Sequence, residues 1–335
     1  MNRESFVGQF DRRGKMMSDV AIFSESFQIP ADTQGVELNI LRKCIDKNLT
    51  YSAEKTVLMV HGATYSSGSL YDTPVQGASF MDHLATAGFD VYAVDIRGYG
   101  GSTRPIELQQ PALANAPLGR TEVAVRDFTS AANFVLRTRN LEQLNVFGMS
   151  WGGTVAAVYA AKNGVKVRRL GLLAPQWLSN KPIPIDSGGA LGAWRVVNMD
   201  AAKQHWLSSA PVAKRDGLIP VGAFESWAAN SLRYESDESL RAQNSFKSGN
   251  GPIQDIRDYW IAGKPYYDPA DIEVPLILIH GEWDIDVTIE LAKEWFLQAK
   301  ASPEKRWLEI GEATHMLLLE KNRMHAIDAL IKFFE

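Results

Sequence analysis

The chain has 335 residues, 45% of them hydrophobic and 22% charged, with a formal net charge of −4. That is a globular composition, and the lack of any polybasic block excludes electrostatic binding to nucleic acid or to an anionic membrane. A single cysteine, Cys44, excludes an intramolecular disulfide and a cysteine-ligated metal cluster.

Residues 1–17 carry scattered charges without a regular pattern and read as a loose extension. They hold no apolar core of signal-peptide length. No later run approaches the ~18 apolar residues of a membrane span, so a cytoplasmic protein is expected. Residues 36–45 (VELNILRKCI) alternate as an antiparallel strand, with AIFSESFQI before them as its candidate partner. Residues 56–62 (TVLMVHG) form a continuous apolar run, the mark of a buried strand. ASFMDHLATAG reads as a helix stopped by Gly88, and FDVYAVDIRG as the next buried strand. Val125, Phe128, Ala132, Val135 and Leu136 recur at helical spacing within residues 120–137. A strand at residues 144–147 runs into an alanine-rich helix at 154–162, and RRLGLLAP gives another strand. VPLILIHG, a helix at 288–300, KRWLEI and a closing helix at 317–334 complete the alternation.

Strands alternating with helices imply a mostly parallel sheet covered on both faces. The alternation lapses over residues 176–263, which are rich in Trp, Ser, Gly and Pro and show no β-patterning. A segment this long is too large for a connecting loop, so it is expected to be an inserted helical lid dividing the core into residues 18–175 and 264–335.

The join between the strand at 144–147 and its helix reads Gly148-Met149-Ser150-Trp151-Gly152-Gly153. Gly-x-Ser-x-Gly is weak evidence alone. Between a strand and a helix it has the setting of a nucleophile elbow, where glycines two before and two after the serine avoid collisions in a sharp turn. A serine hydroxyl needs a base, and the base needs an orienting carboxylate. LILIHGEWDIDVT offers Asp284, Asp286 and Glu282 after a late strand, and LEIGEATHMLLLEK offers His315 after the last strand. His280 and His61 end strands and read as hydrogen-bonded structural histidines; His83, His205 and His325 fall in predicted helices with solvated or lightly buried roles.

Together HGAT, DIRGYGGS, GMSWGG and the late Asp and His resemble the α/β-hydrolase superfamily, in its lid-bearing esterase, lipase and C–C hydrolase group. The resemblance covers residues 36–335 apart from the lid. It implies an α/β-hydrolase fold with Ser150 as nucleophile, His315 as base and Asp284 as the acid, Asp286 then stabilising the turn or capping the helix that follows. It also implies an oxyanion hole from the backbone amides of Trp151 and Ala63, with Thr64 as the alternative to Ala63. His61 would brace that loop.

Trp177, where the lid leaves the sheet, is the leading candidate to contact substrate, and Trp151 is expected to wall the pocket. Arg195 is by default an ordinary surface arginine, with holding a substrate carboxylate as the alternative. No His-x-x-x-His pair and no dinucleotide-type glycine spacing occur, so no metal or cofactor is expected. The expected activity is hydrolysis of small apolar or aromatic carboxylic esters through an acyl-enzyme. Lactonase, C–C hydrolase and acyltransferase chemistry on the same triad, or a hydrolase-like ligand receptor, remain alternatives.

Overall fold

The computed structural model describes residues 21–179 and 181–335. The extension expected at residues 1–17 lies outside them. An eight-stranded sheet has the order β1 (Phe23–Pro30), β2 (Glu37–Cys44), β4 (Asp90–Val94), β3 (Thr56–Val60), β5 (Leu144–Met149), β6 (Val167–Leu173), β9 (Leu276–Gly281), β10 (Lys305–Ile310). β1 pairs antiparallel with β2 from Phe23 opposite Cys44 to Pro30 opposite Glu37, the pairing the alternating sequence suggested. β2 is also antiparallel to β4, and every later pairing in the sheet is parallel. The carboxyl ends of β3, β5, β9 and β10 therefore emerge along one edge.

Helices α1 (Ser67–Tyr71), α2 (Phe80–Thr86), α3 (Thr121–Arg139) and α4 (Trp151–Lys162) follow the early strands, and α9 (Ile289–Gln298) and α10 (Arg323–Phe334) the late ones. Their layering follows from β-alternation: Phe147 packs on Phe80 of α2, whereas a Cβ on the next residue, Gly148, would meet Ala156 of α4. Ser79 and Asp82 form a capping box at the start of α2, and Gly88 turns the chain out of it at φ +88°.

The segment between β6 and β9 departs from the all-helical expectation. It contains α5 (Met199–Ser208), α6 (Ala223–Leu232), α7 (Glu238–Ala242), α8 (Gly251–Asp255) and a π-helical turn (Ile256–Trp260). It also contains an antiparallel pair, β7 (Trp194–Asn198) with β8 (Ser245–Gly249), in register from Trp194 opposite Gly249. The two strands are short and far apart in sequence, so no turn signal announces them. Trp206, Trp227, Met199 and Phe246 make a small core of their own, joined by Val75 and Leu319 from the sheet side.

The elbow is where backbone crowding is greatest. A methyl on Gly152 would run into the carbonyl oxygens of Val60 and His61, and one on Gly148 into the backbone of Gly152. Gly152→Ala should therefore lower unfolding free energy by roughly 2 kcal/mol or more. Gly164→Ala should change it by less than about 0.5 kcal/mol, because the added methyl would touch only Val274 at 3.8 Å. Urea melts of the two variants provide the comparison.

Candidate active site

Ser150 follows β5 directly and precedes α4 with φ 58° and ψ −122°, a conformation that side-chain-bearing residues rarely adopt. Its N–H donates to Leu173 O at 2.8 Å, and its carbonyl accepts from Thr154 N and Gln176 N. The elbow is thus tied to β6 on one side and to α4 on the other. Strain of about 1–3 kcal/mol is sustained by these contacts. The hydroxyl itself has no hydrogen-bond partner among the described residues.

The acid and histidine turns are laced together by backbone. Glu282 N donates to Ile310 O at 2.9 Å and Trp283 N to Ala313 O at 2.8 Å. Gly281 lies so near this second turn that a Cβ there would come within 2.6 Å of Thr314 O. On that platform the Asp284 carboxylate accepts from His315 Nδ1 at 2.7 Å through Oδ2. Through Oδ1 it accepts from the amides of Asp286 and Val287 at 2.9 and 2.8 Å. Both carboxylate oxygens are held, which fixes the imidazole's orientation and leaves Nε2 without a protein partner among the described residues. Burial disfavours the charged imidazole, but the adjacent Asp284 carboxylate, helped by Asp286, outweighs it and pushes the His315 pKa up to about 9.

The loop after β3 faces Ser150 closely: a Cβ on Gly62 would lie 3.5 Å from Ser150 Cβ. His61 is wholly buried and braces this loop. Its Nε2 accepts the Ile96 N–H at 3.1 Å, which assigns the proton to Nδ1 and makes Nδ1 the donor to Gly62 O at 2.8 Å. Burial holds its pKa below the ordinary histidine value, keeping the ring neutral. Fixing Gly62 O fixes the peptide that carries the Ala63 N–H. The Ala63 carbonyl is held in turn by the Tyr99 hydroxyl at 2.9 Å. The amides of Ala63, Thr64 and Trp151 donate to no described residue.

Ser150, His315, Ala63, Thr64 and Asp286 line one cavity of about 400 Å³. Its apolar walls include Leu70, Met149, Ile183, Val197, Trp206 and Trp227. Two expected wall residues are elsewhere. Trp177 is 4% exposed and packs against Trp260 and Tyr267 in the aromatic core beneath the inserted segment. The Trp151 side chain is buried with its Nε1 on Thr121 Oγ1 at 2.8 Å, leaving only its backbone toward the site. Both are apolar bodies the core consumes.

His205 is the residue that sequence reasoning missed. From α5 it lines the cavity and pairs with Asp286, Nε2 lying 3.0 Å from Oδ1 and 3.1 Å from Oδ2. Asp286 thus neither caps α9 nor holds its own turn; Asp284 does the latter. The hydrogen bond that His205 donates to Asp286 raises the His205 pKa against burial. Burial opposes ionisation of Asp286, but His205 and His315 hold its carboxyl below the usual range. Ligand atoms of Asp284, Asp286 and His315 lie within 4.8 Å of one another. Each of the three already has a hydrogen-bond partner in the two Asp–His pairs. His280 is structural, donating from Nε2 to Val287 O at 2.8 Å.

A family model described as alpha/beta hydrolase fold matches residues 55–322. The chain belongs to this family. The chain is 28% identical over 165 residues, 47% of its length, to a probable 1-acylglycerol-3-phosphate O-acyltransferase of Oryza sativa subsp. japonica. It spans between about a third and about half of the length of the curated relatives it matches. Among solved structures it resembles a 2-hydroxy-6-oxo-6-phenylhexa-2,4-dienoate hydrolase from Rhodococcus sp. strain RHA1, with TM-score 0.62 and 14% identity over 94% of this chain and 99% of that one. It also resembles naproxen esterase (carboxylesterase NP) of Bacillus subtilis, with TM-score 0.55 and 16% identity over 95% and 94% of the two chains. At these identities the likeness is one of fold. No helix among the described residues is long and apolar enough to cross a membrane.

The His205–Asp286 pair gives a signed pH effect. A raised histidine pKa contributes stability fully present below the unfolded value of about 6.5 and lost as pH rises through the folded value. The pair is partly exposed, so His205→Gln should cost on the order of 0.5–1 kcal/mol at pH 6 and less at pH 9. Urea unfolding of both proteins at the two pH values measures the difference.

Proposed function

We propose that this hydrolase is a serine esterase that cleaves carboxylic esters of small apolar or aromatic substrates through an acyl-enzyme. One observation carries the reading: a strained, unbonded Ser150 hydroxyl and an Asp284-oriented His315 open onto the same largely apolar cavity. The carboxylesterase among its structural neighbours is consistent with it.

In this mechanism the Ser150 hydroxyl attacks the ester carbonyl while His315 Nε2 takes its proton. The developing oxyanion is met by the amides of Ala63 and Trp151, each worth about 3 kcal/mol to the transition state. His315 then protonates the departing alcohol, and the acyl group stays on Ser150. Water activated by His315 attacks the acyl carbonyl and restores the serine. Asp284 holds the imidazole and stabilises its charged form throughout. The apolar walls favour acyl or alcohol groups without charge along most of their length. No metal or cofactor takes part in these steps.

Ser150→Ala should remain folded and lose covalent labelling by a fluorophosphonate; full labelling of the variant would remove Ser150 from the mechanism. Asp284→Asn should lower turnover of an aryl ester by up to about 10⁴-fold, with Asp286→Asn costing far less; the reverse ranking would move the acid to Asp286. The base must be neutral to act, so kcat/KM of the free enzyme should climb with pH and level off only near pH 9, where His315 titrates.

A further inference from the structure

Arg195 lies in β7 opposite Ser248 of β8, and it lines the cavity together with Ser150 and Thr64. Its hydrogen bonds all go to neutral oxygens. Nη1 donates to Gly249 O at 2.6 Å and to Asn250 Oδ1 at 3.4 Å; Nη2 donates to Thr64 Oγ1 at 2.7 Å and to Ala63 O at 3.5 Å. Among the described residues it forms no ion pair. The two acids of the neighbouring turn are already paired, Asp284 with His315 and Asp286 with His205. Arg42, Arg97 and Arg120, by contrast, each hold a buried aspartate.

A guanidinium keeps its charge at any ordinary pH, so this wall of the cavity carries a positive charge without a counter-ion. Burial pulls its pKa down, and the groups acting back on it are the phenols of Tyr99 and Tyr65 rather than any carboxylate. One donor remains unspent. Nε–H has no acceptor among the described residues. Arg195 lines the cavity, so this donor is the one left for a ligand there. Thr64 and Ala63, which the guanidinium touches, belong to the loop facing Ser150, so an anion bound here would share the cavity with a carbonyl at the serine.

We propose that Arg195 is a carboxylate subsite and that the substrates are monoesters of short dicarboxylic acids. The free carboxylate would accept from the Nε–H edge while the ester carbonyl faces Ser150. This rests on the serine hydrolase reading and narrows it: the cavity is apolar along its walls and cationic at one point. The missing charge is the substrate's to supply.

The test compares monoethyl glutarate with its uncharged isostere ethyl 5-methylhexanoate, by pH-stat, in the wild type and in Arg195→Met and Arg195→Lys. The wild type should prefer the half-ester in kcat/KM. Arg195→Met should lower that preference about tenfold or more, chiefly through KM, and Arg195→Lys should retain part of it. A wild type that favours the isostere, or a methionine variant in which both substrates fall in the same proportion, would overturn the subsite and reduce Arg195 to a brace for the Ala63–Thr64 loop. On the unaltered protein, free glutarate should slow fluorophosphonate labelling of Ser150 at concentrations where neutral glutaramide does not. Equal slowing by both, or by neither, counts against the subsite. Absence of both labelling and ester turnover would instead strike at the serine hydrolase reading itself.

Discussion

Three stretches of backbone meet at Ser150 at distances only glycine allows. Gly152 abuts the carbonyls of Val60 and His61, Gly148 abuts Gly152, and a Cβ on Gly153 would come within 3.0 Å of Pro175. Close contact between the end of β3, the elbow and the end of β6 holds the serine at positive φ. The same contact sets the loop carrying Ala63 beside it. Side chains contribute little to this part of the site; its geometry is a property of backbone packing in a parallel sheet. The protein sustains strain at Ser150 because β5, which leads into it, is buried and paired on both sides.

That dependence explains what could be read from the sequence. The elbow was legible because backbone crowding leaves a signature in residue type: no other side chain replaces glycine at 148 and 152. The parallel strands around it followed from apolar runs with helices between them, and β1–β2 from plain alternation. Asp284 and His315 were legible as candidates because each follows the end of a late strand, and in a parallel sheet those ends share an edge; the family resemblance then favoured Asp284 over Asp286 and Glu282. Asp286 was placed correctly on the same turn but given a turn or capping role, since its partner His205 comes from the inserted segment.

What the sequence hid lies almost wholly in that segment. β7 and β8 pair across more than forty intervening residues, and neither strand is long or apolar enough to declare itself. Without that pairing, Arg195 has no visible route to Thr64, and His205 none to Asp286. The tryptophans misled for a related reason. Their size demands burial, but nothing in residue type says whether the burying surface is a cavity wall or solid core. Trp206 and Trp227 line the cavity, whereas Trp177 and Trp260 stack into the base beneath the segment.

Trp206 has a second attachment. Its indole N–H donates at 2.6 Å to Glu320, a fully buried carboxyl that also receives the amide and hydroxyl of Thr314, the residue before His315. Burial raises the Glu320 pKa, so this group relies on its few donors to be tolerated where it is. Peeling the inserted segment away would strip the Trp206 donor from this buried carboxyl. The segment and the histidine turn are therefore one cooperative unit: amides in α5 and around Thr314 should exchange with solvent through a shared opening, not as a loose cover fraying from a rigid base.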